Sequence, residues 1–355
     1  MSAFHAVILA GGGGTRFWPK SRRERPKQLL DILGDKPLIA LTIDRLEGLV
    51  KRDQLWVVTH QDQVEGVRRH VDLDAERVLT EPASRNTAPA VGLAALHLQR
   101  VSGDDAVFAM LPADHYVADV DGFLKTLMIA KDVAAQGHLV TIGIRPRYPE
   151  TGYGYIDVGE PLEEPDYPGV HRVSRFVEKP DRATAEAYVE SGNFMWNGGL
   201  FIWRVGTLMA AFREHLPEVH EGLTEIERAD FDPEAVRRVY EAFPDISIDY
   251  GIMESAENRA VVLGDFGWSD VGSWSALGEL IDGDDRGNVT QGEVVALDTH
   301  DAVLVSERGL LATVGMRDVV VVATDDAVLV CPKERAQEVK AIVEALEASG
   351  QDAYL

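Results

Sequence analysis

The chain has 355 residues, enough for one large domain with an appendage or for two domains with sizeable cores. Its 35 Lys and Arg against 59 Asp and Glu give a net charge of −24, which excludes a nucleic-acid or anionic-membrane binder driven by general charge and obliges any anionic ligand to find a local basic site. The single cysteine, Cys331, excludes an intrachain disulfide.

The first predicted element is the strand HAVILA, followed by Gly11, Gly12, Gly13 and Gly14 and then by a basic run. Up to residue 36, Arg16, Lys20, Arg22, Arg23, Arg25, Lys27 and Lys36 oppose only Glu24, Asp31 and Asp35, so the sign of charge inverts locally and the segment is expected to meet an anion, with SRRER in part a solvated face. The start MSAFHAVILAGG lacks the basic and long apolar regions of a secretory signal, and no apolar run reaches the roughly 18–20 residues of a membrane helix, so a cytoplasmic protein is expected.

Further short apolar runs, LWVVTH, AVFAML and HLVTIGI, alternate with helical patterns such as APAVGLAALHLQRV and FLKTLMIAKDVAAQG. That alternation predicts α/β architecture with a mostly parallel, Rossmann-like sheet flanked by helices, whose ligands bind beyond the carboxyl ends of the strands. Between about Tyr148 and Phe201 the texture becomes aromatic and Gly-rich, predicting an antiparallel insertion or sheet extension that walls a cleft. After the polar stretch DGDDRGN, short strands at roughly ten-residue spacing predict a separate small β unit, closed by the helix in ERAQEVKAIVEALEASG. The expected division is a catalytic domain over 1–285 and a C-terminal domain over 286–355.

Glycines after a strand let backbone N–H groups approach a phosphate, because no Cβ intervenes. The loop is not a P-loop, since Gly14 leads into Thr15 and Arg16 with no Lys-Ser/Thr pair, and a dinucleotide fingerprint would put Arg16 or Phe17 where close helix packing needs a small residue. Thr15-Arg16 with Pro26-Lys27 can instead place a guanidinium and an ammonium around one triphosphate.

LAGGGGTRFWPKSRRERPKQLL resembles the signature of the sugar-phosphate nucleotidyltransferases, and EPASRNTAPA, LPADH, PETGYGYI, FVEKP, FMWNGGLFIW, SIDYGIME and FGWSDVGSW are similar to its mannose-1-phosphate guanylyltransferase branch. The resemblance implies a glycosyltransferase-A-like catalytic fold, a short left-handed β-helix after it, and pairing into a homodimer through that element. It implies GTP and mannose 1-phosphate as substrates, GDP-mannose and pyrophosphate as products, and Mg²⁺ shared by Asp114 and Asp270. Arg16 and Lys27 are assigned to the triphosphate, over the Gly11–Gly14 amides and the Thr15 hydroxyl. Lys179 is assigned to the sugar phosphate and Glu178 to sugar hydroxyls, with Gly152 and Gly154 allowing backbone approach and Asn197 and Asp249 as further sugar ligands. Glu81 is the base reader or a surface acid; Asn86 and Thr87 cap a helix or touch base or ribose. Trp196, Trp203 and Tyr153 wall the sugar or fill core, His115 is a structural neighbour of Asp114, and Cys331 a small buried apolar residue. With the sequence ending soon after the β unit, no isomerase domain such as longer relatives carry is expected. The runs VVVVA and AVLVCP hold more apolar surface than one small unit is expected to bury, which also points to self-association. Alternatives left open are a glucose-1-phosphate uridylyl- or thymidylyltransferase and a catalytically silent nucleotide-sugar-binding regulatory subunit.

Overall fold

Strand β1, Phe4–Ala10, is buried on both faces: Phe4, Ala6, Ile8 and Ala10 enter one core, and Val7 the core on the opposite face. A computed structural model describes residues 3–162, Tyr167 and 169–355. The strands that follow are β2 (Leu55–His60), β3 (Val78–Glu81), β4 (Val107–Pro112), β5 (Tyr116–Val117), β6 (Leu139–Ile144), β7 (Gly154–Pro161), β8 (Val170–Val177), β9 (Phe194–Arg204), β10 (Arg259–Gly264) and β11 (Trp268–Ser269). Nine of them form one mixed sheet in the order β3-β2-β1-β4-β9-β6-β10-β8-β7. The pairings β3–β2, β2–β1, β1–β4 and β6–β10 are parallel, as expected from strands that alternate with helices. The chain leaves β1 toward β2 on one side and returns to β4 on the other, which opens a crevice at the carboxyl end of β1 where the glycine loop lies.

The aromatic stretch from Tyr148 is a sheet extension: β7, β8 and β9 run antiparallel in the same sheet, with β9 wedged between β4 and β6. A separate two-residue ladder pairs β11 with β5, matching Trp268 to Val117 and Ser269 to Tyr116. This small ladder holds together two chain segments that are remote in sequence.

The C-terminal strands are β12 (Val289–Gln291), β13 (Val294–Leu297), β14 (Val303–Ser306), β15 (Leu311–Val314), β16 (Val319–Ala323) and β17 (Val328–Pro332). Parallel pairing of β12 with β14, β14 with β16 and β13 with β15 makes a β-helix-like stack, closed by antiparallel β17 and the helix Val339–Ala348. Its main core is shared, since Val303, Val305, Val320, Val322, Val339 and Val343 pack in one cluster with Phe17, Trp18, Leu30 and Trp274. The central valines of VVVVA are therefore buried inside the chain and contribute nothing to an outer face. What remains exposed is Leu297, Leu310, Val314, Val328 and Val330, each more than half exposed; Cys331 is only half-buried. Among the described residues no helix is long and apolar enough to cross a membrane.

Candidate active site

The glycine loop is held from below. Gly14 adopts a left-handed φ of 59°, and a Cβ there would collide with the backbone of Lys27, so a residue with a side chain would drive the loop and Lys27 apart. Gly12 and Gly13 face open space. The buried Gln28 pins the loop by donating to the carbonyl of Gly12 at 3.1 Å and to Gln63 at 2.8 Å. It stands in the PKQLL stretch, yet only its Lys neighbour carries a charge that sequence reading can follow.

Lys27 is almost fully buried, with Nζ 2.8 Å from Asp114 Oδ2 and donating to the main-chain carbonyl of Asp270. Asp114 follows β4 and Asp270 follows β11, and the β5–β11 ladder brings the two to one cleft of about 340 Å³ that Gly14, Thr15 and Arg16 also line. Burial alone would raise the Asp114 carboxyl; the Lys27 ammonium overcomes it and holds the group below the usual carboxylate range. Tyr153, half-buried, donates from its hydroxyl to Asp270 Oδ1 at 2.6 Å, so it is neither simple wall nor simple core. His115 is pushed down to about 4 by burial, accepts from Trp268 Nε1 at 3.2 Å and stays neutral, a structural neighbour as expected.

The rest of the basic run does not face this cleft. Lys20 pairs with Asp31 at 3.1 Å and lies near Glu307, Arg22 meets Asp326, Arg23 meets Glu347 and Asp352, and Arg25 meets Asp31 and Glu307. Lys36 is paired locally with Asp44. Of these seven cations only Arg16 and Lys27 line the phosphate cleft, while acids of the C-terminal unit attract Lys20, Arg22, Arg23 and Arg25.

At the end of β3, Glu81 is buried and accepts the Tyr240 hydroxyl on Oε1 at 2.5 Å. It is not a surface acid. Its other oxygen lies beside Gly11, where a Cβ would stand 3.3 Å from Oε2, in a cavity of about 330 Å³ that Gly12, Ser84, Asn86 and Thr87 also line. Burial pushes Glu81 up to about 7, and the Tyr240 hydrogen bond only partly offsets that. Asn86, at φ 63°, caps the helix Thr87–Ser102 through its side chain, and Thr87 Oγ1 accepts from the Ile248 N–H at 2.9 Å. Asn86 is thus the cap and Thr87 a tie to the remote Ile248 segment, both on the rim of the same cavity. Tyr240 escaped sequence reading because it occupies an apolar position in the helical pattern PEAVRRVYEAF.

A third group lies where β7, β8 and β9 meet. Lys179 Nζ is 2.7 Å from Glu178 Oε1, and Asn197 Nδ2 donates to Asp249 Oδ1 at 2.6 Å. Gly154 leaves room for the Glu178 carboxylate, since a Cβ there would lie 2.7 Å from Oε2 and push that side chain aside. Burial, with Glu178 nearby, holds Asp249 above its ordinary value despite the Asn197 bond. Gly152 sits apart in an exposed turn, its N–H taken by Glu150 at 2.8 Å. Trp203 is core, and Trp196, also buried, presents ring edges to Tyr148, Tyr153 and Trp268.

Residues 5–286 match the family model described as nucleotidyl transferase. The chain belongs to the nucleotidyl transferase family. A second segment follows: residues 292–346 match the MannoseP isomerase/GMP-like beta-helix domain. This nucleotidyl transferase is 40% identical to the mannose-1-phosphate guanylyltransferase of Escherichia coli K12 over 99% of the chain and 75% of that protein. It is 38% identical to the alginate biosynthesis protein AlgA of Pseudomonas aeruginosa over 97% of the chain and 72% of that protein. A solved structure from Thermus thermophilus, described as a mannose-1-phosphate geranyltransferase, is 40% identical and superposes with a TM-score of 0.88 over 97% of this chain and 99% of that one.

Proposed function

We infer that the chain transfers GMP from GTP to mannose 1-phosphate, forming GDP-mannose and pyrophosphate. One observation carries the reading. The phosphate cleft and the polar group at Glu178–Lys179 are joined through adjacent residues, since Tyr153 bonds Asp270 while Gly154 touches Glu178, and Trp196 backs Tyr153 while Asn197 bonds Asp249. A sugar phosphate seated on Lys179 thus lies within reach of a nucleotide on Gly11–Gly14, Arg16 and Lys27.

The sugar phosphate is its own nucleophile, because its second pKa is about 6 and it is an anion at neutral pH. Its oxygen attacks the α-phosphorus in line, the bond to the pyrophosphate oxygen breaks, and no general base is needed. Lys27 and Arg16 offset the charge that accumulates on the α-phosphoryl and the leaving group. Lys179 holds the attacking phosphate, while Glu178, Asn197 and Asp249 orient the sugar hydroxyls. Glu81 accepts the two guanine donors.

The donor set at Asp114 and Asp270 suits Mg²⁺. Among the described residues no group of three acid, His or Cys side chains forms a closed metal cage, so the shell would be completed by phosphate oxygens and water, as this cation prefers. Held by Asp114 and Asp270, such a cation would supply neutralisation of phosphate charge. Exposed apolar side chains at Leu297 and Val314 on β13 and β15, and at Val328 and Val330 on the edge strand β17, support a homodimer. Domains over 1–285 and 286–355, and a reducing cytoplasmic setting for the free Cys331, complete the reading.

The test is pyrophosphate release over a matrix of nucleoside triphosphates and sugar 1-phosphates. GTP with mannose 1-phosphate is expected to be the best pair, and pyrophosphate added to GDP-mannose to regenerate GTP. Turnover of UTP or dTTP with glucose 1-phosphate about tenfold faster, roughly 1.4 kcal/mol in the barrier, overturns the assignment.

A further inference from the structure

We propose that Lys340, on the closing helix of the C-terminal unit, binds the β- and γ-phosphates of GTP and then the departing pyrophosphate, so that the β-helix-like unit completes the phosphate site. The proposal rests on the reading above and adds a residue to that same cleft.

Lys340 lines the cleft together with Arg16, Lys27, Asp114 and Asp270, although the helix Val339–Ala348 begins more than 300 residues after the glycine loop in sequence. The packing explains its position. Val339 and Val343, one turn apart, are buried in the cluster that contains Phe17 and Trp18, the two residues directly after Arg16. The following chain is tied to the same segment, with Trp18 Nε1 donating to the Tyr354 carbonyl at 2.8 Å and Arg23 paired with Glu347 and Asp352. The helix is therefore seated on the far side of the glycine loop, with Lys340 beside its first turn.

Charge in the cleft supplies the second argument. Lys27 and Arg16 are balanced by Asp114 and Asp270, so the charged side chains that the catalytic fold contributes to the lining cancel. With Lys340 included, the side chains that line the cleft carry a net positive charge toward an entering triphosphate. Its present partner is Glu344 at 3.2 Å, an i,i+4 pair with both side chains about 60% exposed, which a phosphate can displace at small cost.

The experiment uses the full-length protein in both directions, with Lys340→Arg, Lys340→Met, Lys340→Glu and Glu344→Gln. KM for GTP and for pyrophosphate is expected to rise in the order Arg, Met, Glu, about tenfold for Met. KM for mannose 1-phosphate and GDP-mannose should stay within about twofold, and Lys340→Arg within about threefold of wild type throughout. Glu344→Gln, which frees the ammonium, should leave KM for GTP unchanged or lower it. A rise that ignores the charge order, or that appears equally in Glu344→Gln, would mean the helix surface acts only through packing and overturns the proposal. A KM for GTP and for pyrophosphate that is unaltered in Lys340→Met overturns it too. A wild-type protein that fails to use GTP and mannose 1-phosphate instead overturns the functional reading itself.

Discussion

Two carboxylates at the same end of the sheet, Asp114 after β4 and Glu81 at the end of β3, are moved in opposite directions by their surroundings. Asp114, half-buried, lies against an ammonium that holds its carboxyl below the usual range and favours the anion. Glu81 is buried against a phenol and is pushed up to about 7, so it is poised between charged and neutral. Desolvation acts on both; the cation decides. One end of the cleft is thus a fixed array of charge suited to phosphates, the other a titratable acceptor suited to reading a base.

The largest effects should come from breaking the fixed array. Asp114→Asn or Asp270→Asn is expected to lower kcat/KM on the order of 10²–10³-fold, as the loss of one preorganised electrostatic partner does. Asp114→Asn,Asp270→Asn should cost little more than the worse single change, because both act through one ion. Steady-state rates with and without excess chelator check this. Losses that multiply, or activity that persists in chelator, mean that the two acids do not share a metal.

How much of this was legible depended on whether the chemistry sat in one stretch of chain. Gly14, Arg16, Lys27, Asp114 and Asp270 could be read because each stands in a compact motif at a strand end, where a charged residue has few structural uses. Lys20, Arg22, Arg23 and Arg25 could not. Their partners Glu307, Asp326, Glu347 and Asp352 lie about 280–330 residues away, and nothing local tells a solvated cation from one clamped to a distant unit. Tyr240 was hidden for a different reason, since its ring satisfies the apolar period of a helix while its hydroxyl serves Glu81. The alternation of strands and helices disclosed the parallel half of the sheet, but whether the aromatic segment was an insertion or an extension depended on long-range pairing of β9 with β4 and β6.

An intermediate effect should follow from fixing the titratable acceptor in its neutral form. Glu81→Gln puts a donor opposite the donors of guanine and is expected to reduce the GTP to ATP ratio of kcat/KM on the order of 10- to 100-fold, equivalent to about 1–3 kcal/mol of unpaired buried polar group. The same change should stabilise the unliganded protein, and the sign can be worked out. A carboxyl raised from 4.5 to about 7 in the fold favours the protonated form, so its contribution to stability is complete below pH 4.5 and is lost as pH rises through 7. Thermal melts of wild type and Glu81→Gln should agree near pH 4.5 and separate by pH 8, the variant being the more stable. Equal separation at both pH values would mean that Glu81 does not titrate in this range.

The smallest expected effect belongs to Tyr240→Phe, and it tests the poise itself. The Tyr240 hydroxyl donates to Glu81 Oε1 and lowers its pKa against the larger push of burial, so removing it should raise Glu81 further above 7. A protonated carboxyl presents one donor and one acceptor, the arrangement that matches the adenine edge, whereas the carboxylate presents acceptors only and matches guanine. Discrimination for GTP over ATP should therefore fall in wild type as pH drops through 7, and in Tyr240→Phe the same fall should begin at higher pH. Because kcat/KM reports ionisations of the free enzyme, its acid limb for GTP is expected to move up by about half a unit to one unit. The loss should be a few-fold at pH 7 and vanish by about pH 9, where the carboxylate is formed in both enzymes. The phosphate end gives the internal control: the acid limb for pyrophosphate attack on GDP-mannose shares the base pocket and should move with it, while KM for mannose 1-phosphate should not. A uniform loss across all pH values would show that the hydroxyl merely fills space beside Glu81 and that the guanine reader is ionised regardless of Tyr240.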